Sequence, residues 1–404
     1  MLLRVPSVSK PAKVCLVRIA LVAIPFGLYG WAIVVATGCG YNGKIGPAYN
    51  ALGGDWVIFY TAARAWHDGV LPHVYDQVWL ARTMNRTYGY WLLDPMPYPA
   101  FHYPPTWLLF LAPFSLLPMV AAFAASQVLS FAALLLALGK AYGRGLQFWM
   151  SSVSLLLSPA ASNNVVSGQN GFVVCALFVA GFPLLETQPW LAGAFLGLAS
   201  FKPQICLMIP FALLGARNWR AMGGAALSAA ALGLLSLAVF GADIWRVWLE
   251  LMLHPRHDVA YTGIDWGRLW DESVFTCAQL LGASKQAANL AQAAATLGAG
   301  ACVYFSFRRP LTLDLRFAVF LAATVVGAPH VSPYDMILLS LAATILVWNS
   351  FEGEFRPLAL ALPMLAWLAP LYNPPRATPI GLMTPVVIFA LIAMTLTRRQ
   401  ASRA

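Results

Sequence analysis

The chain has 404 residues, of which 60% are hydrophobic and only 10% charged, against about a quarter charged in an ordinary water-soluble domain. That composition excludes a soluble globule and requires lipid around the fold. The formal net charge of +10 sits mostly in short loops and at the termini, where Lys and Arg set membrane orientation, so it does not argue for nucleic-acid binding.

In chain order, Arg4, Lys10, Lys13 and Arg18 introduce an apolar run over 14–36 that suits an uncleaved anchor. Ala36-Thr37-Gly38-Cys39 only faintly resembles a lipoprotein cleavage site, because the apolar run before it is too long. Further apolar runs occupy 119–139, 146–158, 171–185, 190–201, 204–216, 221–241, 288–306, 317–328, 334–350, 357–371 and 379–397. Their lengths approach or exceed the roughly 17 to 25 residues of a spanning helix, and they lack the short alternation of barrel strands. The expectation is an all-α polytopic membrane protein with about twelve transmembrane helices. No repeat or linker divides residues 1–404, which read as one membrane domain.

Basic clusters at Lys10/Lys13/Arg18, Lys140/Arg144, Arg217/Arg220, Arg308/Arg309/Arg316 and Arg398/Arg399/Arg403 all belong on the cytoplasmic side. They agree only if one apolar run does not cross. Residues 104–118 open with Pro104-Pro105 and carry Pro113 and Pro118, so this run is expected to re-enter and return. Both termini are then cytoplasmic, and about 37–103, 160–170 and 242–287 lie outside, with the turns around Lys202 and His330.

The first outer segment holds Gly53-Gly54-Asp55, then Trp56, Phe59, Tyr60, Ala63 and Trp66 at helical spacing, predicting an interfacial helix with an aromatic face toward lipid or protein. Asp55 heads it and fits either an N-cap or a catalytic carboxylate. Pro72-His73-Val74-Tyr75-Asp76, Tyr98 and Phe101-His102-Tyr103-Pro104-Pro105 follow, a grouping that an aromatic belt also explains. Gly168-Gln169-Asn170-Gly171 is a polar turn opening a helix. Lys202, in Phe201-Lys202-Pro203-Gln204, interrupts two apolar stretches where a charge is costly. It either snorkels or meets an anion such as a lipid-linked phosphate, which His254, Arg256 and His257 could also approach. Asp265 and Asp271-Glu272, near Trp266, Trp270 and Phe275, fit sugar binding or a solvated loop face. In Pro329-His330-Val331-Ser332-Pro333-Tyr334-Asp335, Asp335 can cap the next helix, whereas His330 has no such structural reason.

The six cysteines form no CxxC pair or His/Cys cluster, and only Cys39 with Cys277 could oxidise on the outer face. No P-loop, Rossmann fingerprint, HExxH or GxSxG occurs, and nothing calls for a metal or other cofactor.

Taken in order, Asp55 with Tyr60 and Ala62-Ala63, Tyr103-Pro104-Pro105, Gly168-Gln169-Asn170, Lys202-Pro203-Gln204 and Pro329-His330 with Tyr334-Asp335 resemble the motifs of glycosyltransferase family 87 over about residues 50–340. This group is similar to mycobacterial mannosyltransferases that use polyprenyl-phosphate mannose. The resemblance implies a GT-C fold, a polyprenyl-phosphate sugar as donor, and a lipid or glycan as acceptor. It implies Asp55 as general base, His330 beside the reacting sugar or donor phosphate, and Lys202 holding that phosphate. Substrate contacts are expected from Tyr60, His102, Tyr103, Gln169, Asn170, Gln204, Arg256, His257, Tyr334 and Asp335. His102 and the His254-Pro255-Arg256-His257 run depart from the family pattern. The rival readings are a transporter or flippase of a lipid-linked substrate, which would not need Asp55, and an acyltransferase or polysaccharide polymerase.

Overall fold

A computed structural model of the chain describes residues 19–20, 23–32, 52–91, 101–253, 271–351, 358–371 and 381–397, and among these no strand occurs. Each of the twelve apolar runs contains a helix. The first run holds α1 (residues 23–32), and the first outer segment holds α2 (Gly54–His67) and α3 (Gln77–Tyr88). Next come α4 (Thr106–Leu111), α5 (Met119–Tyr142), α6 (Leu146–Leu157), α7 (Pro159–Ser167), α8 (Gly171–Gly181), α9 (Pro189–Leu198), α10 (Met208–Gly215), α11 (Trp219–Phe240) and α12 (Ala242–Leu253). Beyond residue 270 lie α13 (Val274–Leu280), α14 (Lys285–Arg308), α15 (Leu313–Gly327), α16 (Ile337–Ser350), α17 (Leu358–Leu368) and α18 (Thr384–Thr397).

Among the described residues, three helices are long and apolar enough to cross a membrane on their own: α5, α11 and α14. At 1.5 Å per residue the 24 residues of α5 extend about 36 Å, past the roughly 30 Å hydrocarbon core. Seven more apolar helical segments are shorter, because prolines and glycines cut them. α9 continues as a 3-10 turn to Phe201, breaks at Lys202, and resumes through Pro203–Leu207 into α10. Broken backbone of this kind survives at membrane depth only when protein covers it, and both Phe201 and Lys202 are buried.

Small residues set the closest helix pair. α9 lies against α11 so tightly that a Cβ on Gly193 would fall 1.9 Å from the Ala221 carbonyl oxygen, the backbone approach that small-xxx-small spacing permits. α15 and α16 form the centre: all but a few of their residues are buried, with α14, α17 and α18 packed around them.

Two outer segments are helical. Residues 160–170 are not a loop but mostly α7, because Ser158 caps it by accepting from Ala161 N (3.1 Å) and Pro159 preorganises its first turn. α2 turns its aromatic face to protein, one of the two surroundings expected of it, burying Trp56, Phe59 and Tyr60.

The proline-rich stretch after Phe101 bends back onto α2. Phe59 packs on Tyr103 and Trp107 (ring centroids 5.1 and 5.8 Å), Trp56 on Phe114 (5.6 Å), and the Tyr60 hydroxyl donates to Leu117 O (2.6 Å). Both ends of the stretch therefore touch one helix. α4 and the 3-10 turn Ala112–Leu116 together rise only about 19 Å, short of a crossing.

Candidate active site

Two left-handed glycines place Asp55. Gly53 (φ 72) starts α2 and donates its N–H to Val166 O (2.6 Å), while Gly168 (φ 72) ends α7. A Cβ on Gly168 would lie 2.5 Å from the Trp56 Cβ, so only glycine lets the start of α2 seat against this turn. Asp55 therefore does not act as an N-cap. It sits in the first helical turn, where the helix dipole favours a carboxylate, and its Oδ2 accepts from Gln169 Nε2 (2.8 Å).

The polarity of that contact is fixed from behind. The Tyr103 hydroxyl donates to Gln169 Oε1 (3.0 Å), which leaves the Gln169 amide nitrogen for Asp55. The backbone N–H of Gly171 donates to Asn164 Oδ1 (2.7 Å), so Asn164 Nδ2 donates to Gln127 Oε1 (3.0 Å) and Gln127 Nε2 to the Gln169 carbonyl (3.3 Å). Backbone donors cannot reverse, so the Asn164 and Gln127 amides have one direction, ending on the Gln169 backbone carbonyl. Sequence reasoning missed Gln127 and Asn164. The available signal was a buried-type amide inside the otherwise apolar 119–139 run, which is costly unless partnered.

Lys202 is buried at the break between α9 and α10. Its Nζ pairs with the Asp335 carboxylate, donates to Asn170 Oδ1 (3.3 Å), and lies over the rings of Tyr334 (5.1 Å) and Tyr103 (5.9 Å). With 2% of its side chain exposed it does not snorkel, and its charge is already matched by Asp335. Asp335 also closes a capping box with Ser332 at the turn before α16, so it performs the expected cap and holds Lys202 as well.

His330 has free surface: 49% of its side chain is exposed, and its Nδ1 lies 3.2 Å from Asp271 Oδ2. Asp271 is not on a solvated loop face. It is 6% exposed and accepts from Ser273 N (2.9 Å), Val331 N (3.1 Å), Ser273 Oγ (3.1 Å) and Thr276 Oγ1 (2.9 Å). Burial works to raise the Asp271 pKa, but the His330 contact and these N–H donors hold it below the ordinary aspartate range. For His330 burial works downward, and the Asp271 hydrogen bond and charge, with Asp335, outweigh it and raise the imidazole pKa. Burial pushes the neighbouring Glu272 up to about 8 against an opposing contribution from Thr384, and the Asp271 charge adds to the rise. Of the two adjacent carboxyls, Asp271 therefore carries the charge that faces His330.

Asp55 completes the group. Burial raises its pKa, while the Gln169 hydrogen bond and the positive Lys202 and His330 pull it partly back. Asp55, Lys202, His330 and Asp335 lie within Coulombic reach of one another.

The remaining expected residues fall as follows. His102 is exposed and close enough to His330 for the two imidazoles to oppose each other's protonation, and its carbonyl accepts from Trp248 Nε1 (3.2 Å). Gln204 is half-buried in the 3-10 turn after Lys202, and among the described residues none of the hydrogen bonds of the cluster reaches it. Tyr60 points the other way, to Leu117 and Tyr88. Arg256 and His257, with His254, Asp265 and Cys39, lie outside the described residues, and Cys277 is buried.

A carboxylate within Coulombic reach of an imidazole that a second carboxylate backs can take a proton from a hydroxyl and, through that imidazole, balance a departing anion in one site. Among curated proteins and among solved structures nothing matches the chain. The family model for glycosyltransferase family 87 matches residues 101–333, which takes in Tyr103, Gln169, Lys202, Asp271 and His330 and more than half of the chain. An all-helical membrane protein with this site and this match belongs to glycosyltransferase family 87.

Proposed function

We propose that the chain transfers a hexose, mannose, from a polyprenyl-phosphate sugar to a lipid or glycan acceptor at the outer face of a bacterial inner membrane, with inversion at the sugar carbon. The observation that carries this reading is the pairing of a fixed carboxylate, Asp55 on Gln169, with an exposed imidazole, His330 on Asp271. An acceptor hydroxyl attacks the anomeric carbon and gives its proton to Asp55. The bond from that carbon to the phosphate oxygen breaks, its electron pair stays on the phosphate, and His330 balances the growing charge. Lys202 organises Asn170, Tyr334 and Asp335 rather than gripping the phosphate directly, because its ammonium is spent on Asp335.

The twelve-span GT-C arrangement, cytoplasmic termini and re-entrant 104–118 segment belong to the same reading. The return of both ends of the proline-rich stretch to α2 supports it, as does the gathering of Arg217, Arg308 and Arg316 at the other end of the helices.

Incubating the purified chain in lipid with radiolabelled polyprenyl-phosphate mannose, glucose or arabinose tests the donor. Product from the mannose donor is expected; product from another sugar alone would remove mannose, and product from none would remove the donor class. The pH profile tests the roles. Asp55 works ionised and its pKa lies above 3.8, so kcat/KM rises with pH through an acid limb above that value. His330 works protonated and its pKa lies above 6.5, so activity is full below its raised value and declines as pH rises through it. Asp271→Asn is expected to move the alkaline limb down toward 6.5 and leave the acid limb in place; an unmoved alkaline limb would separate Asp271 from the reaction.

A further inference from the structure

Three connections meet at the end of the bundle away from Asp55: 185–189 between α8 and α9, 216–218 between α10 and α11, and 309–312 between α14 and α15. α9 leads from this end to Lys202, and α15 leads from it to within three residues of His330, about 22 Å at 1.5 Å per residue. The first two connections and the adjoining ends of α14 and α15 line an open pocket of about 410 Å³, among its residues Glu186, Pro189, Arg217, Asn218, Phe307 and Arg316.

Its two arginines are poorly matched by protein. Arg316 lies over the Phe307 ring (5.5 Å), and its Nη2 donates to Arg309 O (3.3 Å). Its Nη1 is 3.9 Å from Glu186, whose side chain is 71% exposed, and its Nε is buried without a partner. A guanidinium has five N–H donors, so most of this one's capacity is unused. Arg217 is the one non-glycine among the described residues with positive φ (51°). A left-handed arginine costs about 1 kcal/mol or more where glycine would be free. The turn is held by Arg217 N to Leu214 O (3.0 Å), Asn218 N to Leu213 O (2.9 Å) and Asn218 Nδ2 to Leu185 O (2.7 Å), and none of these bonds needs the arginine side chain. The N-termini of α9, α11 and α15 reach the same cavity at Pro189, Asn218 and Leu313, adding partial positive charge. Basic loops that only set orientation need neither a cavity, nor a strained arginine, nor an unpartnered buried Nε.

We propose that this cavity binds a phosphate-bearing anion, held between Arg217 and Arg316. The ligand is either the phosphodiester of an anionic phospholipid in the leaflet at that end or a soluble phosphorylated molecule, since both present oxygens that match a guanidinium fork. The site is separate from sugar transfer and does not depend on the donor assigned above.

The test uses the purified full chain with phosphatidylglycerol, phosphatidylcholine and inorganic pyrophosphate, reading retained lipid by native mass spectrometry and thermal shift on titration. Arg217→Gly removes a charge and relaxes the backbone; Arg316→Gln removes the second charge. Preference for phosphatidylglycerol or binding of pyrophosphate is expected, weakened about tenfold in the double variant. Arg217→Gly alone is expected to weaken it severalfold while keeping the unliganded melting temperature. Competition by pyrophosphate would place the affinity in the phosphate itself; lipid preference without competition would assign it to the phospholipid. Equal binding of both lipids with no pyrophosphate shift, or undiminished affinity in Arg217→Gly, would overturn the proposal.

Discussion

Asp55→Asn is expected to leave the protein folded and to lower sugar transfer by roughly 10²- to 10⁴-fold, the usual contribution of a positioned general base. The substitution keeps the shape, and the Asn carbonyl can still accept from Gln169 Nε2 where the Asp55 Oδ2 does now (2.8 Å). What it removes is a group able to take the hydroxyl proton. Because Gln169 is itself fixed by Tyr103 (3.0 Å), no rearrangement brings a replacement base to that point. The measurement is initial rate on purified variant, beside its melting temperature. Transfer within a few-fold of wild type would sink the general-base assignment, and lost activity with a lowered melting temperature would mean that Asp55 is structural instead.

Lys202→Met is expected to destabilise the fold by about 3–5 kcal/mol, the cost of leaving one partner of a buried ion pair alone. Asp335 would stay 3% exposed with no cation, and Asn170 Oδ1 would lose its donor (3.3 Å). Methionine fills much the same volume, so a cavity does not explain the loss. Adding Asp335→Leu removes the orphaned carboxylate and is expected to recover most of the stability, while transfer stays low because the capping box at Ser332 that shapes the His330 turn is gone. Thermal unfolding of both variants in one detergent checks this; an unchanged melting temperature for Lys202→Met would show that the pair is not closed in solution. Weakened donor affinity with full stability would instead return Lys202 to the phosphate.

By itself the sequence determined the apolar elements. Every apolar run carried a helix, because a long unbroken stretch of apolar residues has one way to satisfy its backbone in lipid. Gly53-Gly54-Asp55 marked the start of α2 for a similarly local reason, and the order of short polar motifs named the family. Partners were decided only in three dimensions. Lys202 and Asp335 are 133 residues apart, and neither spacing nor hydropathy says that one neutralises the other. Asp271 resembled a solvated loop carboxylate until the turn at Val331 was laid against it (3.1 Å), and Tyr60, about 140° around α2 from Asp55, faces Leu117 instead of the site. Helix formation depends on neighbours in sequence, whereas the charge a buried group meets depends on which distant backbone segments pack beside it, and that is settled by close-packing of the whole bundle.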